Sequence, residues 1–73
     1  MTKNPINPEK LLLSKWTAVR PQNREKHFLV TRLLRDEREL VIGCALEAVL
    51  SRREQQIDWR LLSDAGLWQP GWR

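Results

Sequence analysis

The stretch LVIGCALEAVL, residues 40–50, decides the fold of this chain. Its even-numbered positions, from Leu40 to Leu50, are all apolar, and the positions between them include Gly43 and Glu47. Alternation with a period of two is typical of a β-strand that buries one face. We therefore expect a strand over about 40–51.

A helix over about 45–57 is the rival interpretation of the same residues. Leu46, Val49, Leu50 and Ile57 also fall at helical spacing, and Ala, Leu, Glu, Arg and Gln favour helix. We favour the strand because the alternation begins before Ala45 and because a partner for a hairpin precedes it.

That partner is the run HFLVTRLLR, residues 27–35, which is rich in β-branched and aromatic residues and ends at a polar break. It predicts a second strand, antiparallel to the third. A first strand over about 13–20 is expected to stop near Pro21, where a turn-prone stretch begins. The register of the second hairpin stays open, since Phe28 opposite Leu46 and Leu29 opposite Leu46 both give apolar pairs.

On the C-terminal side, Asp58 is a suitable N-cap for a short helix over 58–64, and Gly66 is suited to end it. The closing run LWQPGWR, residues 67–73, carries two tryptophans around a Pro-Gly turn and is expected to fold back over the sheet. Residues 1–9 are expected to form a flexible N-terminal tail, and 10–73 a single small domain. The predicted fold class is α+β: a three-stranded antiparallel meander, one short helix and a Trp-bearing C-terminal tail.

Composition limits the function. Thirteen Lys and Arg against nine Asp and Glu give a net charge of +4, and the pI is near 10.0. Such a balance favours polyanionic partners. No apolar run approaches membrane-spanning length, so we expect no membrane partner. The single Cys44 excludes an internal disulfide, which makes the cytoplasm the expected compartment.

No catalytic constellation is visible, so we expect a protein that is not an enzyme and has no cofactor. His27 and Cys44 stand alone in apolar strands, whereas a metal site needs three or four converging ligands. A nucleophile-base pair between them would also lack a third, orienting group. We interpret Cys44 as a small core thiol and His27 as a strand-edge imidazole.

Basic residues and tryptophans provide the remaining hypothesis. In a meander, the first loop and the end of the third strand lie at the same end of the sheet, so their cations can merge into one patch, and a neighbouring exposed indole can stack on a base. The partner expected first is RNA or single-stranded DNA. The candidate binding residues are Lys15, Trp16, Arg24, Lys26, Arg52, Arg53, Trp59 and Arg60, with Arg20 beside the first loop.

Two alternatives to nucleic-acid binding remain. The charges can form an ordinary solvated rim, or an exposed aromatic patch can bind a protein partner. The neighbours of the exposed tryptophan discriminate between partners: Arg and Lys favour nucleic acid, whereas Leu and Val with an acidic rim favour protein. The oligomeric state is open, because the edge strands of the sheet permit homodimerisation.

Five segments carry a resemblance to a known family: KLLLSKWTAV (10–19), EKHFLVT (25–31), CALEAV (44–49), WRLLSD (59–64) and WQPGW (68–72). Together they resemble a family of short tryptophan-rich bacterial proteins of uncharacterised function. Their order and spacing cover most of residues 10–72. The resemblance implies one intact domain and supplies no activity, cofactor or site.

Overall fold

Five strands form a single antiparallel sheet in the computed structural model, which describes residues 3–73. Along the chain they are β1 (Lys15–Gln22), β2 (Glu25–Arg35), β3 (Val41–Ala48), β4 (Glu54–Ile57) and β5 (Trp68–Pro70). Their spatial order is β4-β3-β2-β1-β5. Two short 3₁₀ turns, Pro8–Lys10 and Trp59–Ser63, are the only helical segments among the described residues, and none has the length and apolar character to cross a membrane.

The predicted α+β class with three strands is wrong: the fold is a mostly β, five-stranded sheet. The strand expected over 40–51 forms between Val41 and Ala48, and the rival helix over 45–57 does not. The chain instead turns and returns as β4, whose Glu54-Gln55-Gln56 sequence has no strand preference of its own. Pairing with the buried strand β3 supplies the stability that β4 lacks locally.

The helix expected over 58–64 is a 3₁₀ turn. Its predicted N-cap does form, since the side chain of Asp58 accepts a hydrogen bond from the backbone N–H of Arg60 at 2.9 Å. Only Leu62 is buried within the turn. With so short an apolar stripe, one tight turn is enough to cover the sheet, and an α-helix gains little by extending.

Neither expected register of the β2–β3 hairpin is correct. Val30 lies opposite Leu46 and Phe28 lies opposite Ala48, with an irregularity between Val30 and Arg32. Val30 and Leu46 are both 0% exposed, so this register places two fully buried side chains in direct contact across the strands. A β-bulge of this kind shifts the pairing by an amount that apolar pattern alone does not reveal.

The closing run is not simply a tail, because Trp68–Pro70 adds a fifth strand to the sheet. Trp68 pairs with Ala18 and Pro70 with Trp16, so β5 lies along the outer edge of β1. Proline is tolerated there because an edge strand leaves one side without ladder partners. Gly71, at φ +80°, then turns the chain away from the edge.

The sheet has a core face and an outer face. The core face carries Trp16, Phe28 and Leu46, and the N-terminal segment and the second 3₁₀ turn cover it with Leu11 and Leu62. The outer face carries the side chains that alternate with these, among them Lys15, Thr17, His27, Leu29 and Glu47, which pair across the strands.

Residues 3–9 contact the sheet, although the sequence predicts a flexible tail for 1–9. The side-chain amide of Asn4 donates to the carbonyl oxygens of Leu62 at 2.9 Å and Trp68 at 2.8 Å, and Ile6 packs against the core. The flexibility of this segment stays a prediction, and its first two positions lie outside the described residues.

Candidate nucleic-acid interface

The β1–β2 hairpin ends in a two-residue turn at Asn23 and Arg24, between the paired residues Gln22 and Glu25. Both turn residues have positive φ, 55° and 62°. This is the geometry of the tight hairpin turns that favour Asn followed by Gly. A side chain at the second position costs about 1 kcal/mol relative to glycine. Arg24 is therefore a local departure from the best turn chemistry, and it places a guanidinium at the tip of the hairpin.

Ion pairing leaves an uneven set of charges. Of 13 Lys and Arg and nine Asp and Glu, five of each join side-chain ion pairs. Within residues 3–73, eight cations and four carboxylates thus remain outside such pairs.

The unpaired charges are segregated along the long strand β2. Three of the four unpaired acids, Asp36, Glu37 and Glu39, lie in the turn that follows its C-terminal end. The β1–β2 hairpin and the C-terminal residue carry five of the unpaired cations and no unpaired side-chain carboxylate. We call these cations together with Trp72 the basic hairpin surface: Lys15, Arg20, Arg24, Lys26, Trp72 and Arg73.

Trp72 is the tryptophan that this surface exposes. Its side chain is 44% exposed, and the Nζ atom of Lys15 lies 4.8 Å from the ring centroid. The indole N–H donates to the carbonyl oxygen of Phe28 at 2.9 Å, which fixes the ring over the outer face. The ring of His27 lies 6.1 Å away. The sheet thus orients the indole, with the Lys15 ammonium over its ring and the His27 ring beside it.

Thr17 anchors the chain on both sides of Trp72. Its hydroxyl donates to the carbonyl oxygen of Gly71 at 2.6 Å and accepts from the backbone N–H of Arg73 at 2.9 Å. Thr17 is only 3% exposed, so these hydrogen bonds are shielded from water. They fix the backbone on both sides of the indole, which lies under the Lys15 ammonium.

Two of the tryptophans expected at the site lie elsewhere. Trp16 is 4% exposed and donates its indole N–H to the Ser14 hydroxyl at 2.8 Å, so it belongs to the core. Trp59 packs against the core and donates to the carbonyl oxygen of Val41 at 3.0 Å, with the Arg60 guanidinium 5.7 Å from its ring. Val41 begins β3, so Trp59 and Arg60 lie at the end of the sheet opposite to the hairpin turn.

Arg53 does lie at the same end as the first loop, as the meander topology predicts. Its Nε donates to the Glu25 carboxylate at 3.0 Å, its Nη2 forms a second bond there, and the hydroxyl of Ser51 donates to the same group. These hydrogen bonds, from Arg53 first and Ser51 second, lower the pKa of Glu25 to about 2. Arg52 lies 3.6 Å from Glu47. Both arginines thus have carboxylate partners within the chain.

Sequence reasoning missed Trp72 and Arg73 as surface residues. The closing run Trp-Gln-Pro-Gly-Trp was the available signal. Its Pro-Gly turn led us to expect that both tryptophans pack against the sheet. Trp68 does play that structural part, but Trp72 lies beyond the Gly71 turn and on the other face.

His27 and Cys44 occupy opposite faces of the sheet, so the structure does not bring them together. Cys44 is 0% exposed, and its burial, reinforced by the charge of Asp58, raises the pKa of its thiol to about 11. Among residues 3–73, no three His, Cys, Asp or Glu side chains converge in a way that would hold a metal ion.

A family model described as tryptophan-rich protein (DUF2389) matches residues 14–73. The chain belongs to this family. The DUF2389 region contains all four tryptophans and the whole sheet from β1 to β5, including the basic hairpin surface. The resemblance stated from the sequence is therefore confirmed for a tryptophan-rich family, one whose function is unknown. No curated protein and no solved structure matches the chain.

Proposed function

We propose that this protein binds single-stranded nucleic acid, RNA or single-stranded DNA, through the basic hairpin surface. The observation that supports it is that the β1–β2 hairpin and the C-terminal residue carry five of the eight unpaired cations, with Lys15 over the ring of the one tryptophan that is exposed on the outer face. Cations satisfied by internal carboxylates have little affinity left for phosphate, whereas unpaired cations release counterions when they bind it.

The residues of this surface have different roles in the proposed complex. Arg24 and Lys26 at the hairpin tip and Arg73 beside Trp72 contact phosphates, and the exposed indole offers a stacking platform to a base. Lys15 already covers part of the ring, which places its ammonium close to the phosphate that follows a stacked base. Arg52 and Arg53 add a smaller share, because Glu47 and Glu25 offset their charges.

A nucleic-acid partner accounts for this surface better than a protein partner does. The contacts of Trp72 are with Lys15, His27 and the backbone carbonyl oxygen of Phe28. A protein interface built on an exposed indole more often has an apolar centre from which charges are depleted. We further place the protein in the bacterial cytoplasm, a proposal supported by the family resemblance and by the single buried thiol of Cys44.

The test is fluorescence anisotropy with labelled single strands of about 12 nucleotides, which fall within the usual site size of one small module. The critical variant is Arg24→Gly, because glycine suits the positive φ of this position and the fold keeps or gains stability. Binding should weaken, and the slope of log K against log salt should fall by about 0.7, the value for one lost phosphate contact on a single strand.

Arg38→Ala is the matched control. It removes the same charge from an exposed turn at the other end of β2, among Asp36, Glu37 and Glu39. We expect this variant to bind like the parent protein. Absence of any anisotropy change at low salt would refute the proposal, and equal losses for both variants would show that only net charge matters.

A further inference from the structure

A cleft of about 300 Å³ opens on the core face at the hairpin end of the sheet. It lies beyond the part of that face that the N-terminal segment and the second 3₁₀ turn cover. Its lining includes the aromatic rings of Phe28 and Trp68 and the polar side chains of Arg20, Gln22, Asn23 and Gln55.

The aromatic side chains of the cleft provide a surface for a planar ring. Phe28 and Trp68 meet edge to face, with ring centroids 5.1 Å apart and an interplanar angle of 86°. Phe28 is 5% exposed, while Trp68 is half-buried and still offers aromatic surface to the cleft. Aromatic side chains in this arrangement accept a planar, weakly polar group such as an unstacked base.

The amide side chains of the cleft can hydrogen-bond to the edge of a base. Gln22, Asn23 and Gln55 each carry an amide with both donors and an acceptor, and none of these amides forms a side-chain hydrogen bond with another described residue. Amides recognise bases because they can donate and accept side by side, as the hydrogen-bonding edge of a base also does. The cleft thus combines stacking surface with uncommitted hydrogen-bonding groups.

The Glu25 carboxylate also lines the cleft. Glu25 is 6% exposed and is held by Arg53 and Ser51 across the two turns. Arg53 also lines the cleft and offsets this charge, so the pair presents little net charge to a neutral base. Arg20 and Asn23 connect the cleft to the hairpin tip, so a strand whose phosphates follow the basic hairpin surface passes its mouth.

We infer that the cleft receives one unstacked base of the bound strand. The inference rests on the proposed function, since the basic hairpin surface must first bind the strand. Trp72 then stacks a base of any type on the outer face. The cleft contributes a preference for a strand with bases over an abasic strand.

Gln55 and Gln56 provide a matched pair of variants. They are neighbours on β4, both are exposed, and their pairing with Leu46 and Ala45 places them on opposite faces. Only Gln55 lines the cleft. The experiment compares an oligothymidylate of about 12 nucleotides with an abasic sugar-phosphate strand of the same length.

For Gln55→Ala, we expect the preference for the base-bearing strand to fall about three- to tenfold, the usual range for one lost hydrogen bond. Gln56→Ala should retain the parent preference. As a direct readout, the indole N–H resonance of Trp68 should move on addition of oligothymidylate and stay in place with the abasic strand.

The outcomes separate this inference from the proposed function. If no strand binds, both the proposed function and this inference are refuted. If both strands bind with a steep salt dependence but Gln55→Ala behaves like Gln56→Ala, or the Trp68 resonance does not move, the basic hairpin surface stands and the cleft is not a base pocket.

Discussion

The two faces of the sheet use tryptophan in opposite ways. On the core face, Trp16 is almost wholly buried and Trp68 packs against Phe28, so these indoles stabilise the fold. On the outer face, Trp72 keeps 44% of its surface exposed and has a lysine over its ring. The difference teaches that tryptophan content alone does not indicate function, whereas the chemistry beside each ring does.

Adjacent residues of β3 give the sharpest test of the two faces. Leu46→Asp should remove the cooperative thermal transition, because a buried unpaired charge and lost packing cost about 4 kcal/mol or more, close to the whole stability of a chain of this size. Glu47→Lys on the outer face should cost about 1 kcal/mol or less. Thermal unfolding followed by circular dichroism measures both. Similar losses for the two variants would contradict the assignment of faces.

The tryptophans themselves give a smaller contrast. Trp68→Ala should lower the free energy of unfolding by about 3 kcal/mol, the lower end of the range for a core aromatic, because its ring is half-exposed. Trp72→Ala should cost about 1 kcal/mol, chiefly the hydrogen bond to Phe28, and should abolish most of the fluorescence quenching by oligonucleotides. Urea unfolding and fluorescence titration test the pair. A larger stability loss for Trp72→Ala would mean that it is structural.

The smallest expected effect concerns Glu25, which joins the two turns at the hairpin end. Its pKa is lowered from 4.5 to about 2. The stabilisation is therefore complete above pH 4.5 and is lost as the pH falls from 4.5 towards 2, because the carboxylate must then be protonated. Glu25→Gln should make the melting temperature less dependent on pH in this window.

Glu37→Gln is the control for this measurement, since it removes an unpaired carboxylate from the turn at the other end of β2. Melting curves from pH 2 to 7 compare the two variants with the parent. A parent-like acid profile for Glu25→Gln would show that the contact with Arg53 contributes nothing.

The strand β3 was predictable because alternation of apolar residues is a local signal. The strand β4 was not, since Glu54, Gln55 and Gln56 have no strand preference and pair only because the edge of β3 is available. Likewise, no local pattern shows that Trp68 pairs with Ala18 along an edge of β1, fifty residues earlier in the chain. Prediction succeeded for strands that their own sequence favours. It failed for strands that form only by pairing with another strand.

The candidate site divides in the same way. Arg24 and Lys26 were evident as basic residues near a turn, and the position of Arg53 at the same end of the sheet followed from topology. Lys15 lies at the other end of β1. That Glu25 neutralises Arg53, and that Trp16 is buried while Trp72 is exposed, depended on side-chain contacts between distant segments.

By itself, the sequence determined the tryptophan-rich family, the basic balance of charge and the central β2–β3 hairpin, because composition and a period of two are properties of the chain alone. The tertiary structure decided the five-stranded order, the register and the face on which each indole lies, because pairing and burial depend on what the other segments leave uncovered. The proposed function depends on this second set of facts. Only folding determines which cations meet a carboxylate and which remain free to meet a phosphate.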